Sequence, residues 1–193
     1  MTRIKNISLL LQWTFGAYLV LLPLGSLFFW IVSALVPWEG TLMGVLFEQG
    51  IWDITVRAVG KTYSIVDINF SWAARLIGLI GDFSGECFKW VAALYVFMLL
   101  KLYVKEDIFS KIHAHYFKRI GQFILLYGTL GLLLGGSFHS IAVTFNNPPG
   151  ERILAISFGT PNLTMLVMAS VITLIGWVTL EGFKILSEQD LTI

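Results

Sequence analysis

His113 and His115 form an H-x-H pair, a spacing that invites a metal ion. Ser110 stands just before a helical run and reads as its N-cap. On such a helix, residues two apart point roughly 200° away from each other, so the two rings cannot chelate together. No cysteine or carboxylate follows at ligand spacing, and a solvated or headgroup-level face is the better reading. Ser84 and Ser137 lie near glycines but do not fit G-x-S-x-G, and no His–Asp arrangement stands ready to activate them. There is no phosphate-binding glycine loop. Cys87 is the single cysteine, which rules out an intrachain disulfide and reads as a small buried apolar residue. His139 could sense pH, although such a histidine more often meets interfacial water. Asn6-Ile7-Ser8, Asn69-Phe70-Ser71 and Asn162-Leu163-Thr164 are formal glycosylation sequons, but triplets of this kind arise by chance. The sequence therefore offers no catalytic residue, metal ligand or cofactor site, and the expectation is a protein that is not an enzyme.

The elements that would position any site belong in a membrane. The 193 residues are 56% hydrophobic and 13% charged, against roughly a quarter charged for a typical soluble domain. A soluble fold this small could not bury that much apolar surface, so lipid must cover the rest. The net charge of +1 gives no field that would draw the chain to DNA or RNA, and no direct nucleic-acid contact is expected.

A helix needs about 20 mostly apolar residues to cross a hydrocarbon core of roughly 30 Å. Spans are expected over about 9–36, 84–104, 120–145 and 161–183. The first follows a basic start, Arg3 and Lys5, but the charge-free run from Asn6 to Trp38 is too long for the apolar region of a signal peptide. With Met1 at its head, this segment is expected to be a retained span. The second is the weak one, because only eleven uncharged residues separate Lys89 from Lys101. That places the two lysines about 18 Å apart along a helix, and snorkelling of both toward opposite headgroup layers repairs the deficit. Glu86, three residues before Lys89, is placed to pair with it, and the helix could extend outward from Ser71. On these bounds the middle third of every span lacks an ionisable residue, which argues against ion-coupled transport.

Thr160-Pro161 supplies an N-cap followed by proline at the first helical position. Asn146-Asn147-Pro148-Pro149-Gly150 reads as a turn, and Pro23 inside the first span is tolerable in lipid. Residues 37–83 are expected to form amphipathic or irregular pieces on the outer face, with Trp38, Phe47, Trp52, Tyr63, Phe70 and Trp72 at headgroup level. The fold class is thus all-α, an integral membrane four-helix bundle in a single transmembrane domain. Gly121, Gly128 and Gly135 recur every seven residues, and Gly176 follows Ala169 at the same interval. Such small-residue stripes let helix backbones approach closely, within one bundle or between copies of a homo-oligomer.

Orientation follows from lysine and arginine. With both termini in the cytoplasm, eight basic residues lie inside and five outside. The bias is sharper over 101–119, where Lys101 and the loop residues Lys105, Lys111, Lys118 and Arg119 have only Glu106 and Asp107 against them, the cytoplasmic loop itself being 105–119. This basic loop and an acidic tail, Glu188 and Asp190, are candidate partner-binding groups through charge complementarity. The ordinary alternative is that basic residues beside spans set topology and bind anionic lipid.

Two short segments also carry a family resemblance. The run Tyr103-Val104-Lys105-Glu106-Asp107-Ile108-Phe109-Ser110, with Arg119-Ile120-Gly121, resembles a "GE-IF-S…RIG" pattern. The ending Leu186-Ser187-Glu188-Gln189-Asp190-Leu191-Thr192-Ile193 resembles a terminal "EEQDLTV". Lys105-Glu106 stands where the pattern has Gly-Glu, and the outer segment is long. Together they resemble the bacterial four-span membrane family known as domain of unknown function 2975. The resemblance implies four helices, an internal loop and a short C-terminal tail in a bacterial inner membrane. Members of that family are often encoded beside a very small helix-turn-helix regulator, so it also implies a membrane protein that recruits or regulates such a cytoplasmic partner. An oligomeric channel, a small-solute carrier or a lipid-interacting protein is the competing expectation.

Overall fold

The computed structural model describes residues 2–31, 45, 55–58, 61–64, 70–105, 110–156 and 158–190. The described residues are mostly helical, with one short hairpin and an irregular stretch after residue 144. Helix α1 covers Thr2–Ile31, strands β1 and β2 cover Thr55–Ala58 and Lys61–Ser64, and α2 covers Trp72–Val104. Helix α3, Lys111–Leu126, runs through a five-residue π turn, Tyr127–Gly131, into α4, Leu132–Thr144, and α5 covers Thr160–Asp190. Among the described residues, four stretches are long and apolar enough to cross a membrane: Arg3–Ile31, Trp72–Val104, Lys111–Thr144 and Thr160–Ile185. Little of their most apolar surface is covered by the chain itself, 6% in the first and 11% in the last, so lipid is the physical solvent for these helices.

The second helix starts at Trp72, twelve residues before the lower bound set by hydropathy alone. The middle third of this 33-residue helix carries Glu86 and Lys89, whereas the expectation of a charge-free centre rests on the bounds 84–104. The reason is that Arg75, Asp82, Glu86 and Lys89 dilute the apolar signal without breaking the helix. Within 37–83 the described residues are Val45, the hairpin, Phe70 and Ser71, and the first turns of α2. Trp38, Phe47, Trp52 and Asn69 lie outside the described residues, as do Glu106, Asp107, Ile108 and Phe109 of the loop and Leu191 to Ile193 of the tail.

The chain divides into two compact units. The first comprises Met1–Leu21, Glu86–Gly131 and Gly159–Ile193. Here α3 and α5 run antiparallel along a seam of small side chains. Ala114, Gly121 and Gly128 are buried at seven-residue intervals on α3 and the π turn, opposite Gly176, Ala169 and Asn162. A methyl added to Gly176 would lie 2.9 Å from Lys118 N and 3.2 Å from Ala114 O, so the backbones touch where no side chain intervenes. Sevenfold spacing keeps one face turned to the partner along its whole length. Against the other side of α3, the C-terminal half of α2 contributes aromatics. Tyr95 meets Tyr116 and Phe123, each at 5.8 Å between ring centroids, and Tyr103 meets His113 at 4.6 Å.

The second unit comprises Leu22–Gly85 and Leu132–Phe158. Its core is Trp30, Phe70, Ala74, Ala142 and Val143, with Phe29, Ile77, Leu79 and Phe145 packed against it. The hairpin pairs antiparallel from Thr55↔Ser64 to Ala58↔Lys61 and rests on α4 through β1. Threonine, valine and tyrosine suit strands, and packing supplies what an isolated hairpin lacks. After α4 the chain turns through Gly150, whose φ of 99° a residue with a Cβ rarely adopts. Beyond this turn the chain is tied back to α4, with Ile153 N donating to Thr144 Oγ1 at 3.0 Å and Ala155 N to Ser140 Oγ at 2.8 Å.

Candidate functional site

In the first unit the chemistry gathers on the opening turns of α3. Ser110 caps this helix in an extended conformation and accepts from His113 N at 3.5 Å. The cap sets the phase of the whole first stretch of α3. His113 turns inward and is 1% exposed, whereas His115 is exposed, so the H-x-H pair points two ways as the helical spacing requires. Lys111, His115, Lys118 and Arg119 are all exposed and fall within about 100° of the helix circumference, one basic face. Arg119 is held on it, its Nε donating to His115 Nε2 at 3.5 Å and its Nη1 to Gln122 Oε1 at 3.3 Å. A guanidinium fixed by its own helix is ready for a carboxylate or phosphate.

Lys105 is exposed where α2 ends, its N–H donating to Leu102 O at 3.0 Å. Glu188 is exposed on the last turn of α5; Asp190 closes that helix, and its side chain lies outside the described residues. The structure thus brings Lys111, Lys118 and Arg119 onto one face, together with His115, for which the sequence indicated no role. Among the glycines, Gly121, Gly128 and Gly176 stand in the α3–α5 seam. Gly135 belongs to the other unit, where a methyl on it would lie 3.5 Å from Gly85 Cα.

Deeper in the first unit, Glu86 pairs with Lys89 one turn on, as their spacing leads one to expect. Tyr127 O–H donates to Glu86 Oε1 at 3.4 Å, and Lys89 Nζ lies 4.9 Å from the Tyr127 ring centroid. Tyr127 opens the π turn, a geometry that recurs at functional positions because it re-aims side chains. The wide turn is closed by Asn162, 4% exposed, whose Nδ2 donates to Gly128 O at 2.7 Å while its Oδ1 accepts from Gly159 N at 2.9 Å.

In the second unit, Asp82 is the organising group. One carboxylate oxygen accepts from Trp30 Nε1 at 2.9 Å and the other lies 2.7 Å from His139 Nε2. The Trp30 indole, 2% exposed, stacks on the His139 imidazole with centroids 6.0 Å apart and planes 18° from parallel. Glycines admit this approach. Any side chain at Gly78 would collide with the Trp30 ring, and one at Gly81 would lie 3.3 Å from His139 Nε2. Asp82 and Trp30 do not stand out in the sequence. The available signal was Asp82, Glu86 and Lys89 at four- and three-residue spacing, one stripe of one helix.

Residues 73–193 match the model of the family described as "Protein of unknown function (DUF2975)". No curated protein and no solved structure matches the chain.

Proposed function

Since the chain belongs to the DUF2975 family, whose description names no activity, we propose that it is a non-enzymatic protein of a bacterial cytoplasmic membrane. In this reading it recruits or regulates a small soluble helix-turn-helix regulator. One observation carries the reading: Lys111, Lys118 and Arg119 share a single exposed face of a capped helix. Excess lysine and arginine marks the cytoplasmic side, which puts that face, and both termini, inside the cell. The α3–α5 register supports the same arrangement. Ala114 faces Gly176 and Gly128 faces Asn162, so Lys111 is level with about residue 179 of the antiparallel partner. The rest of α5, through Glu188, projects beyond the start of α3 at the same end as the basic face. A small partner with an acidic patch would find the basic face and the helix end side by side.

The test is a mild-detergent pull-down of the tagged full-length protein from its own membranes, with mass spectrometry of what co-purifies. Recovery of a small helix-turn-helix protein is expected from wild type. It is expected to be lost when Lys105, Lys111, Lys118 and Arg119 are changed together to Gln, or when residues 189–193 are removed. A homo-oligomer free of any soluble partner sinks the reading and favours the channel, carrier or lipid-binding alternative.

A further inference from the structure

The Asp82–His139 pair serves no role in partner recruitment, and its geometry is that of a site in its own right. Two titratable side chains from α2 and α4 meet at 2.7 Å. The second carboxylate oxygen is held by the Trp30 indole at 2.9 Å. Neither side chain is fully enclosed, with 24% of His139 and 21% of Asp82 exposed. We propose that Asp82 and His139 form a proton-binding site, and that the bound proton tightens the contact among α1, α2 and α4 within this unit.

The physical argument is a comparison of two states. With the proton on, imidazolium and carboxylate form an ion pair that is neutral as a unit, which suits apolar surroundings. With the proton gone, a lone carboxylate charge remains among Trp30, Phe138 and glycine backbone, and such a charge draws in water. The imidazole can still donate a hydrogen bond, but the charge-assisted part of it is lost. Trp30 is placed to register the change, because its N–H holds the carboxylate and its face lies on the imidazole.

Other charged groups on the surrounding elements have stated places. Arg75 of α2 donates to Phe70 O at 3.3 Å and to Trp30 O at 3.4 Å. Beyond α4, Arg152 lies 5.2 Å from the Phe145 ring centroid and donates to Asn147 O at 3.3 Å, with Glu151 exposed beside it. Arg57 and Lys61 belong to the hairpin strands, and their side chains lie outside the described residues. Helix α1 brings no charged residue between Leu22 and Ile31. The proton site depends neither on the orientation of the chain in the membrane nor on a soluble partner.

The experiment uses full-length protein in lipid nanodiscs, labelled with 5-fluorotryptophan and followed by fluorine NMR from about pH 5 to pH 9. The chain has seven tryptophans, so Trp30→Phe assigns the signal by its loss. The Trp30 resonance is expected to move through a single pH step in wild type and to lose that step in His139→Gln, whose amide keeps a donor for Asp82. Asp82→Asn keeps groups that can hydrogen-bond Trp30 and His139 while removing the charge. It is expected to weaken proton uptake about tenfold or more, the ordinary effect of an opposite charge at this range. A Trp30 resonance that stays still in wild type overturns the proposal. So does an undiminished step in His139→Gln, or unchanged uptake in Asp82→Asn.

Discussion

Asn162 shows how much one side chain can hold inside an apolar interface. The π turn at Tyr127–Gly131 breaks the regular helical ladder, and a carbonyl released there has no water to turn to. Asn162 Nδ2 takes the Gly128 carbonyl at 2.7 Å, and its Oδ1 takes Gly159 N at 2.9 Å. Removing a partner from a buried polar group costs about 1–3 kcal/mol for each group left unpaired. Asn162→Leu is therefore expected to lower thermal stability in detergent, with Tm falling by several degrees, while Asn162→Gln retains part of the loss. An Asn162→Leu protein as stable as wild type would show that the turn closes without it. The sequence presented Asn162 only as a chance sequon, because one residue's role in closing another helix's turn leaves no local pattern. Asp82 was hidden for a similar reason: its partners are 52 and 57 residues away in the chain.

Packing decides which glycines matter at the level of elements. Gly176 and Gly182 both lie on α5 but differ in what they meet. A methyl at Gly176 would meet Lys118 N at 2.9 Å, whereas one at Gly182 has open space within 4 Å. Gly176→Ala is expected to cost about 1–3 kcal/mol by forcing α3 and α5 apart. Gly182→Ala is expected to be neutral or to stabilise by up to about 1 kcal/mol, because alanine is the better helix former. Thermal unfolding of the two variants side by side checks the contrast, and equal effects would mean the seam is looser than its geometry. The seven-residue interval was legible in the sequence. Which stripe each glycine joined was not, since Gly121 and Gly128 meet α5 while Gly135 packs near Gly85 in the other unit.

At the scale of the whole molecule, the proposed orientation makes a direct prediction. In a Cys87→Ser background, Asn147→Cys in the turn after α4 is expected to react with a membrane-impermeant thiol reagent on intact cells. Ser187→Cys, exposed near the end of α5, is expected to react only after permeabilisation. The reverse pattern would invert the topology and place the basic face of α3 outside, removing the ground for a cytoplasmic partner. Labelling at both positions from outside would mean that one of the four apolar helices does not cross.

The sequence by itself determined that four helices are long and apolar enough to span a membrane, and it placed the chain's family through its loop and tail. Hydropathy is a sum over neighbours in the chain, so a window of some twenty residues contains the whole signal. The cap at Ser110 and the turn at 146–150 were legible for the same reason, being set by residues only a few positions apart. Only the tertiary structure decided that His113 is core while His115 joins Lys111, Lys118 and Arg119 on one face, and that Asp82 meets Trp30 and His139. The role of Asp82 is concealed because a charged side chain only lowers the hydropathy sum, while its cost is met by partners on other helices. Those partnerships are pairwise and long-range, and no property of a local window records them.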